Sequence, residues 1–118
     1  MSNVVNTIPV KPFATFLEVA AKLLNKTQDF KQGLPLRIAA FDGKFHVSVG
    51  GDSHFIQATI RDATWEGEPI FLDMAYLMKY PYDCDWLSIS TNGEERVQFK
   101  APGVNFRIPR SDHKLWNN

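Results

Sequence analysis

The sequence predicts an α+β fold in which two helices pack on antiparallel sheets and one β-α-β-β-β unit is used twice. Three observations predict it. Before Asp42-Gly43, Leu36, Ile38 and Ala40 alternate with Arg37, Ala39 and Phe41; after it, Phe45, Val47 and Val49 alternate with Lys44, His46 and Ser48. The same plan returns where Trp86-Leu87-Ser88-Ile89-Ser90-Thr91 runs through Asn92-Gly93 into Arg96-Val97-Gln98-Phe99-Lys100. A helix-like segment precedes each pair. Period-two alternation puts one set of side chains on a buried face and the other outward. Asp-Gly and Asn-Gly close two-residue hairpins because both turn residues tolerate positive φ.

Taken in order, residues Val4 to Val10 form a first strand, with Pro9 marking an edge or a strand end. Lys11-Pro12 starts a helix, since proline lacks only an N–H that the first turn leaves unpaired. Phe13, Phe16, Leu17, Ala20, Leu23 and Leu24 make its apolar face, with Thr15, Glu18 and Lys22 opposite. Glu18 and Lys22 are an i,i+4 pair suited to an exposed surface. After the first hairpin, Gly50-Gly51-Asp52-Ser53 turns into a strand from His54 to Arg61, which Ala63 to Gly67 breaks; Trp65 packs inward. Pro69-Ile70-Phe71-Leu72 is a short strand. Asp73 suits a helix N-cap, its carboxylate accepting from free N–H groups of the first turn. The helix Met74 to Lys79 stops before Pro81. Pro102-Gly103 turns into a last strand in which Val104, Phe106 and Ile108 alternate with Asn105 and Arg107. One domain is expected over 1–110, with repeat halves of about 4–62 and 68–110 and a polar tail at 111–118.

The 118 residues suffice for a core without disulfide or metal. At 44% hydrophobic and 13% aromatic, the chain is globular rather than disordered. Thirteen basic residues balance thirteen acidic ones, which argues against strong general attraction to nucleic acid or anionic membrane. The single cysteine, Cys84, excludes an internal disulfide and fits a reducing cytoplasm. No apolar run approaches the roughly 20 residues of a membrane span. The stretch MSNVVNTIPVKP lacks the charged region and apolar core of a secretory signal.

No constellation of catalytic residues emerges. Cys84 sits between Asp83 and Asp85, carboxylates that disfavour a thiolate, and reads as a buried or half-buried bystander. His46, His54 and His113 lack the spacing of familiar zinc sites, so no metal and no cofactor is expected. Gly50-Gly51 precedes a strand and has no following Lys-Ser/Thr, so it is not a phosphate loop. The aspartates are turn and capping residues by position. Phe13, Phe16, Phe41, Phe45, Phe99 and Phe106 are assigned to the core.

The double unit resembles a single domain of the DNA sliding clamps, the bacterial DNA polymerase III beta subunit and its relatives. LPLRIAAFDGKFHVSVGGD is similar to the clamp pattern of Leu-Pro, an apolar strand, Asp-Gly-Lys, a second strand and a closing Asp. IFLDMAYLMKYPYDCDWLSIS resembles the clamp's second short strand, helix and apolar-Pro-Asp turn, and VNFRIPR its domain-ending strand. The resemblance spans nearly the whole chain in the right order. It implies a DNA-clamp-like, non-enzymatic module whose helices face DNA, with Lys11, Lys22, Lys26 and Lys79 as DNA contacts. The alternative for those lysines is a solvated helix face, because Glu18 stands among the first three and Asp73 precedes Lys79. Bacterial clamps chain three such domains per subunit and close a ring from two; one domain per chain would need about six copies.

The resemblance also implies two open edges, the strand carrying His54, Ile56, Ala58 and Ile60 and the strand carrying Val104, Phe106 and Ile108. Unpaired edges invite another chain unless charge or proline blunts them, as Arg61, Arg107 and Pro109 do in part. The expected partners are further copies of the chain through these edges, or a replication or repair protein, with a weak DNA contact. The other reading is a clamp-fold interaction or inhibitor module without DNA binding. An enzyme would need a polar cleft that the sequence does not announce.

Overall fold

Strand β1 (Val4–Pro9) leads directly into helix α1 (Val10–Leu24), which is followed by β2 (Pro35–Phe41), β3 (Lys44–Gly50) and β4 (Phe55–Thr64). Strand β5 (Ile70–Asp73) leads into the one-turn helix α2 (Met74–Leu77), then β6 (Trp86–Thr91), β7 (Arg96–Ala101) and β8 (Val104–Pro109). The structure, a computed structural model, describes residues 4–24, 35–50, 55–79, 83–91 and 96–110. The elements form two four-stranded antiparallel sheets, the first in the order β4-β3-β2-β5 and the second in the order β1-β6-β7-β8. Each sheet therefore takes one outer strand from the other half of the sequence. Val4–Pro9 pair with Thr91–Trp86, and Pro35–Ile38 pair with Asp73–Ile70.

Local chemistry explains the two described hairpin turns and the start of α2. Asp42 and Gly43 have φ of 53° and 78°, the two positive values that a two-residue hairpin of this hand requires. In the β7–β8 turn Pro102 holds its own φ and Gly103 takes φ +77°, the pairing of a type II turn. Asp73 caps α2, its Oδ1 accepting from the Ala75 N–H at 2.9 Å. The Asn92-Gly93 turn and the Gly51–Ser53 segment lie outside the described residues.

Inward residues of both sheets and both helices form one apolar cluster. Leu36, Ile38, Phe45, Val47 and Val49 face Ile8, Leu87, Ile89, Val97 and Phe99 across the core, and Phe13, Leu17 and Leu24 of α1 fill it with Met74 and Leu77 of α2. Phe45 is central: its ring meets Phe13 edge-on at 6.0 Å and Trp65 at 5.9 Å. Phe99 and Phe106 stack at 5.0 Å under the second sheet.

Several boundaries and facings differ from the sequence reading. Helix α1 starts at Val10, whose N–H donates to the Asp85 carbonyl at 2.9 Å. Strand β4 continues through Ala63 to Thr64, because a register shift at Lys44/Phe45 lets Lys44 pair with Thr64. Helix α2 ends at Leu77, and the chain then turns, with the Met78 N–H still donating to the Met74 carbonyl. Leu23 is 61% exposed: at about 100° per residue it falls beyond the rim of the stripe that Leu24 centres. Phe41 is 63% exposed rather than in the core, since alternation in β2 sends it to the face opposite Ile38; there its ring lies 5.4 Å from His46. Ala39, on that same outer face, is nonetheless buried, opposite His46 and beside Phe41.

The two phenylalanines separate core from surface in one experiment. Phe45→Ala is expected to cost about 3–5 kcal/mol of unfolding free energy, and Phe41→Ala to stay within about 0.5 kcal/mol of the parent. Urea titration followed by circular dichroism measures both; similar losses for the two would contradict the assigned facings.

Candidate interaction surfaces

Four strands lie at sheet edges: β1 and β8 in one sheet, β4 and β5 in the other. The predicted edge residues fall on β4 and β8. In β4, Ile56 and Ala58 are half-buried against the core and Ile60 is buried, while Phe55, Gln57, Thr59 and Arg61 are exposed. In β8, Phe106 and Ile108 are buried and Asn105, Arg107 and Pro109 are exposed. Val104 pairs with Ala101 at the start of β8. His54 lies outside the described residues. Among the described strands, β4 and β8 each pair on one side, with β3 and β7, and outer strands are the ones another strand can join.

The far end of β4 is tied down. Asn6 of β1 is buried on the inner side, and its amide makes a reciprocal pair with the chain just after β4. Its Nδ2 donates to the Glu66 carbonyl at 3.0 Å, and the Glu66 N–H donates to its Oδ1 at 2.9 Å. Trp65 Nε1 donates to the Glu68 carbonyl at 3.1 Å, and Glu68 Oε1 accepts from Arg110 Nη1 at 2.9 Å. The segment between β4 and β5 is thus held to the first strand and to the end of the last. The residue types gave little warning of this: an Asn in a strand at an inward position is the one signal, and its partner is a backbone sixty positions away.

The lysines assigned to DNA contact are spread out. Lys11 and Lys22 share one exposed stripe of α1 with Thr15 and Glu18, separated by about 16 Å of helix at 1.5 Å per residue. Lys22 Nζ lies 3.6 Å from Glu18 Oε1, an ion pair with both side chains mostly in water. Such a pair is weak, but it places a carboxylate between the two cations. Lys79 follows α2, with its ammonium 5.1 Å from the Tyr76 ring centroid. Lys26 lies outside the described residues. The helix layer also exposes Val19, Leu23, Tyr76 and Met78, so it is as apolar as it is basic.

Of the histidines, His46 is the one within the described residues, and neighbours on β4 occupy its ring nitrogens. Nδ1 lies 2.8 Å from Thr59 Oγ1 and Nε2 3.2 Å from Gln57 Oε1. Among the described residues no three His, Cys, Asp or Glu side chains converge as metal ligands. Cys84 is half-buried against the core. No helix of the described residues is long and apolar enough to cross a membrane.

One concave surface is present that the sequence reading does not reach. It opens on the outer face of the β1-β6-β7-β8 sheet, has a volume of about 490 Å³, and is lined by Trp86, Ser88, Lys100, Asn105 and the turn Ala101-Pro102-Gly103. Alternation in β6 already sends Trp86 and Ser88 outward. Only the register, which sets Ser88 opposite Lys100 and Lys100 opposite Asn105, brings the groove together.

No family model matches the chain, and no curated protein matches it. Among solved structures, the fold is similar to a DnaN sliding clamp (DNA polymerase III subunit beta) from Pseudomonas aeruginosa, bound to griselimycin in that structure. The TM-score is 0.65 at 17% sequence identity, over 96% of this chain and 31% of that one. The chain therefore has the fold of a clamp domain and spans about a third of the length of that subunit.

The Asn6 tie predicts a defined loss. Asn6→Ala is expected to lower stability by roughly 1–2 kcal/mol, near the lower end for orphaned polar groups because Glu66 itself reaches water. Glu68→Ala, which removes the carboxylate held by the largely buried Arg110 guanidinium, should cost about 1–3 kcal/mol, and at least as much as Asn6→Ala. Guanidinium unfolding curves for the two variants check the order.

Proposed function

We propose that the chain is a non-enzymatic, clamp-like module that associates through its open strand edges, either with further copies of itself or with proteins of DNA replication or repair, and touches DNA weakly. One observation carries this reading: a clamp-domain fold over nearly the whole chain leaves β4 and β8 as outer strands of two different sheets. Two unlike edges on one body form a heterologous pair, which closes into a ring only at a fixed copy number. The exchange of β1 and β5 between the sheets supports reading the chain as one unit used twice, with halves at 4–62 and 68–110. Lys11, Lys22, Lys26 and Lys79 remain the DNA-facing set, and Ile56, Ala58, Ile60, Phe106 and Ile108 support the edges through which strands would join.

A second reading is favoured by the Glu18–Lys22 pair: a clamp-fold interaction or inhibitor module that holds no DNA. DNA binding through phosphates needs several unneutralised cations, and this stripe has few.

Light scattering on a size-exclusion column at two concentrations tests the first reading. A concentration-independent mass near six times 13.4 kDa supports a ring; a monomer at both concentrations removes self-association and leaves a partner protein as the edge ligand. Glu18→Lys tests the helix face. If α1 faces DNA, the variant should bind duplex DNA several-fold tighter at low salt and steepen the log K against log salt slope by roughly 0.9 per added phosphate contact. Unchanged binding would assign α1 to protein contact or to solvent.

A further inference from the structure

The groove on the outer face of the second sheet has a chemistry that neither the edges nor the helix face shares. We propose that it docks an extended peptide segment of a partner protein in which a carboxylate stands next to an aromatic or large aliphatic side chain. The site lies on the sheet face turned away from the helices, because Trp86, Ser88 and Lys100 alternate with the buried Leu87, Ile89 and Phe99. Asn105 lies on the outer strand β8, while the other lining residues lie on β6, β7 and the β7–β8 turn, and the proposal does not rest on self-association.

One wall is the β7–β8 turn, in which Pro102 has a restricted φ and Gly103 supplies the positive φ. Trp86, opposite Pro9 at the sheet's end, is 53% exposed. A half-exposed indole over a concave apolar floor is the residue type and setting in which binding energy concentrates. The space above these residues is about 490 Å³, shallow and largely open to solvent. Because the groove is open to solvent, it suits a chain that passes through and lowers a side chain into it, more than an enclosed small molecule.

The polar groups select the charge. Asn105 Oδ1 already accepts from Gln98 Nε2 at 2.9 Å, which leaves the Asn105 Nδ2 hydrogens to offer. The Ser88 hydroxyl is 3.3 Å from Thr7 Oγ1 and so is already engaged. Lys100 makes no ion pair among the described residues. What the groove has to offer is therefore donors, one of them cationic, beside an apolar wall, and an anionic acceptor attached to an apolar group complements both. A single cation is too little for single-stranded DNA, whose backbone is gripped by several at once.

The test is an NMR titration of the ¹⁵N-labelled full chain, dilute enough to suppress self-association. Its probes are the capped peptide acetyl-Gly-Asp-Phe-Asp-Gly-amide, the same peptide with both Asp changed to Asn, and a short thymidylate oligomer. The acidic peptide should shift the Trp86 indole N–H and the amides of Ser88, Lys100, Ala101 and Asn105. It should bind about five- to tenfold more tightly than its Asn counterpart. Lys100→Glu should lower its affinity by a similar factor, and Trp86→Ala should abolish the shifts, both with folded amide dispersion retained. Equal binding of the two peptides, unchanged binding by Lys100→Glu, shifts centred elsewhere, or a stronger response of the same resonances to the thymidylate oligomer would each overturn the proposal.

Discussion

Strand β1 belongs to the sheet built from the C-terminal strands, and β5 to the sheet built from the N-terminal ones. The rest of the architecture depends on that exchange. It makes each half supply a strand that the other half's sheet needs, so neither sheet is complete from contiguous sequence. The pairing of Pro9 with Trp86 and of Ile38 with Ile70 fixes register across the midpoint of the chain. Such long-range ladders cost loop-closure entropy before they return any stability, which makes folding of the two sheets a joint event. Because β1 runs into α1 and β5 into α2 without a loop, the exchange also determines where each helix begins.

One apolar cluster is the consequence. With both inner faces turned towards each other and two helices over them, Phe13, Phe45 and Trp65 meet at the junction of α1, the first sheet and the segment after β4. The polar exception is Asn6, an inward position on β1 that would bury an unmatched amide if it did not close on the Glu66 backbone. That pair turns a connecting segment into part of the framework. It also fastens the end of β4 that lies beyond Arg61 to the rest of the framework.

The fold of a clamp domain is present without a strongly basic helix face. Fold alone does not carry function, so the surface chemistry has to. On α1 a carboxylate separates two lysines, and apolar Val19 and Leu23 share the exposed side. The edges and the outer groove are more distinctive. They differ in chemistry: the edges present backbone hydrogen-bonding groups, whereas the groove presents an indole, a lysine and an asparagine beside the β7–β8 turn.

The sequence by itself determined the element types and their order, because these follow from local rules: period-two alternation, the helical stripe from Phe13 to Leu24, the paired positive φ of Asp42 and Gly43, and the cap at Asp73. It also made the resemblance to a clamp domain legible, through words that lie in strands and turns. Leu23 and Phe41, assigned by residue type to the core, are exposed as the helical angle and the strand alternation require. Local rules could not reach the exchange of β1 and β5, the Asn6–Glu66 tie or the Trp86–Lys100–Asn105 groove. Each of these joins residues from separate segments of the chain, and only the tertiary arrangement, fixed by burying both sheets' inner faces in one core, decides which residues become neighbours.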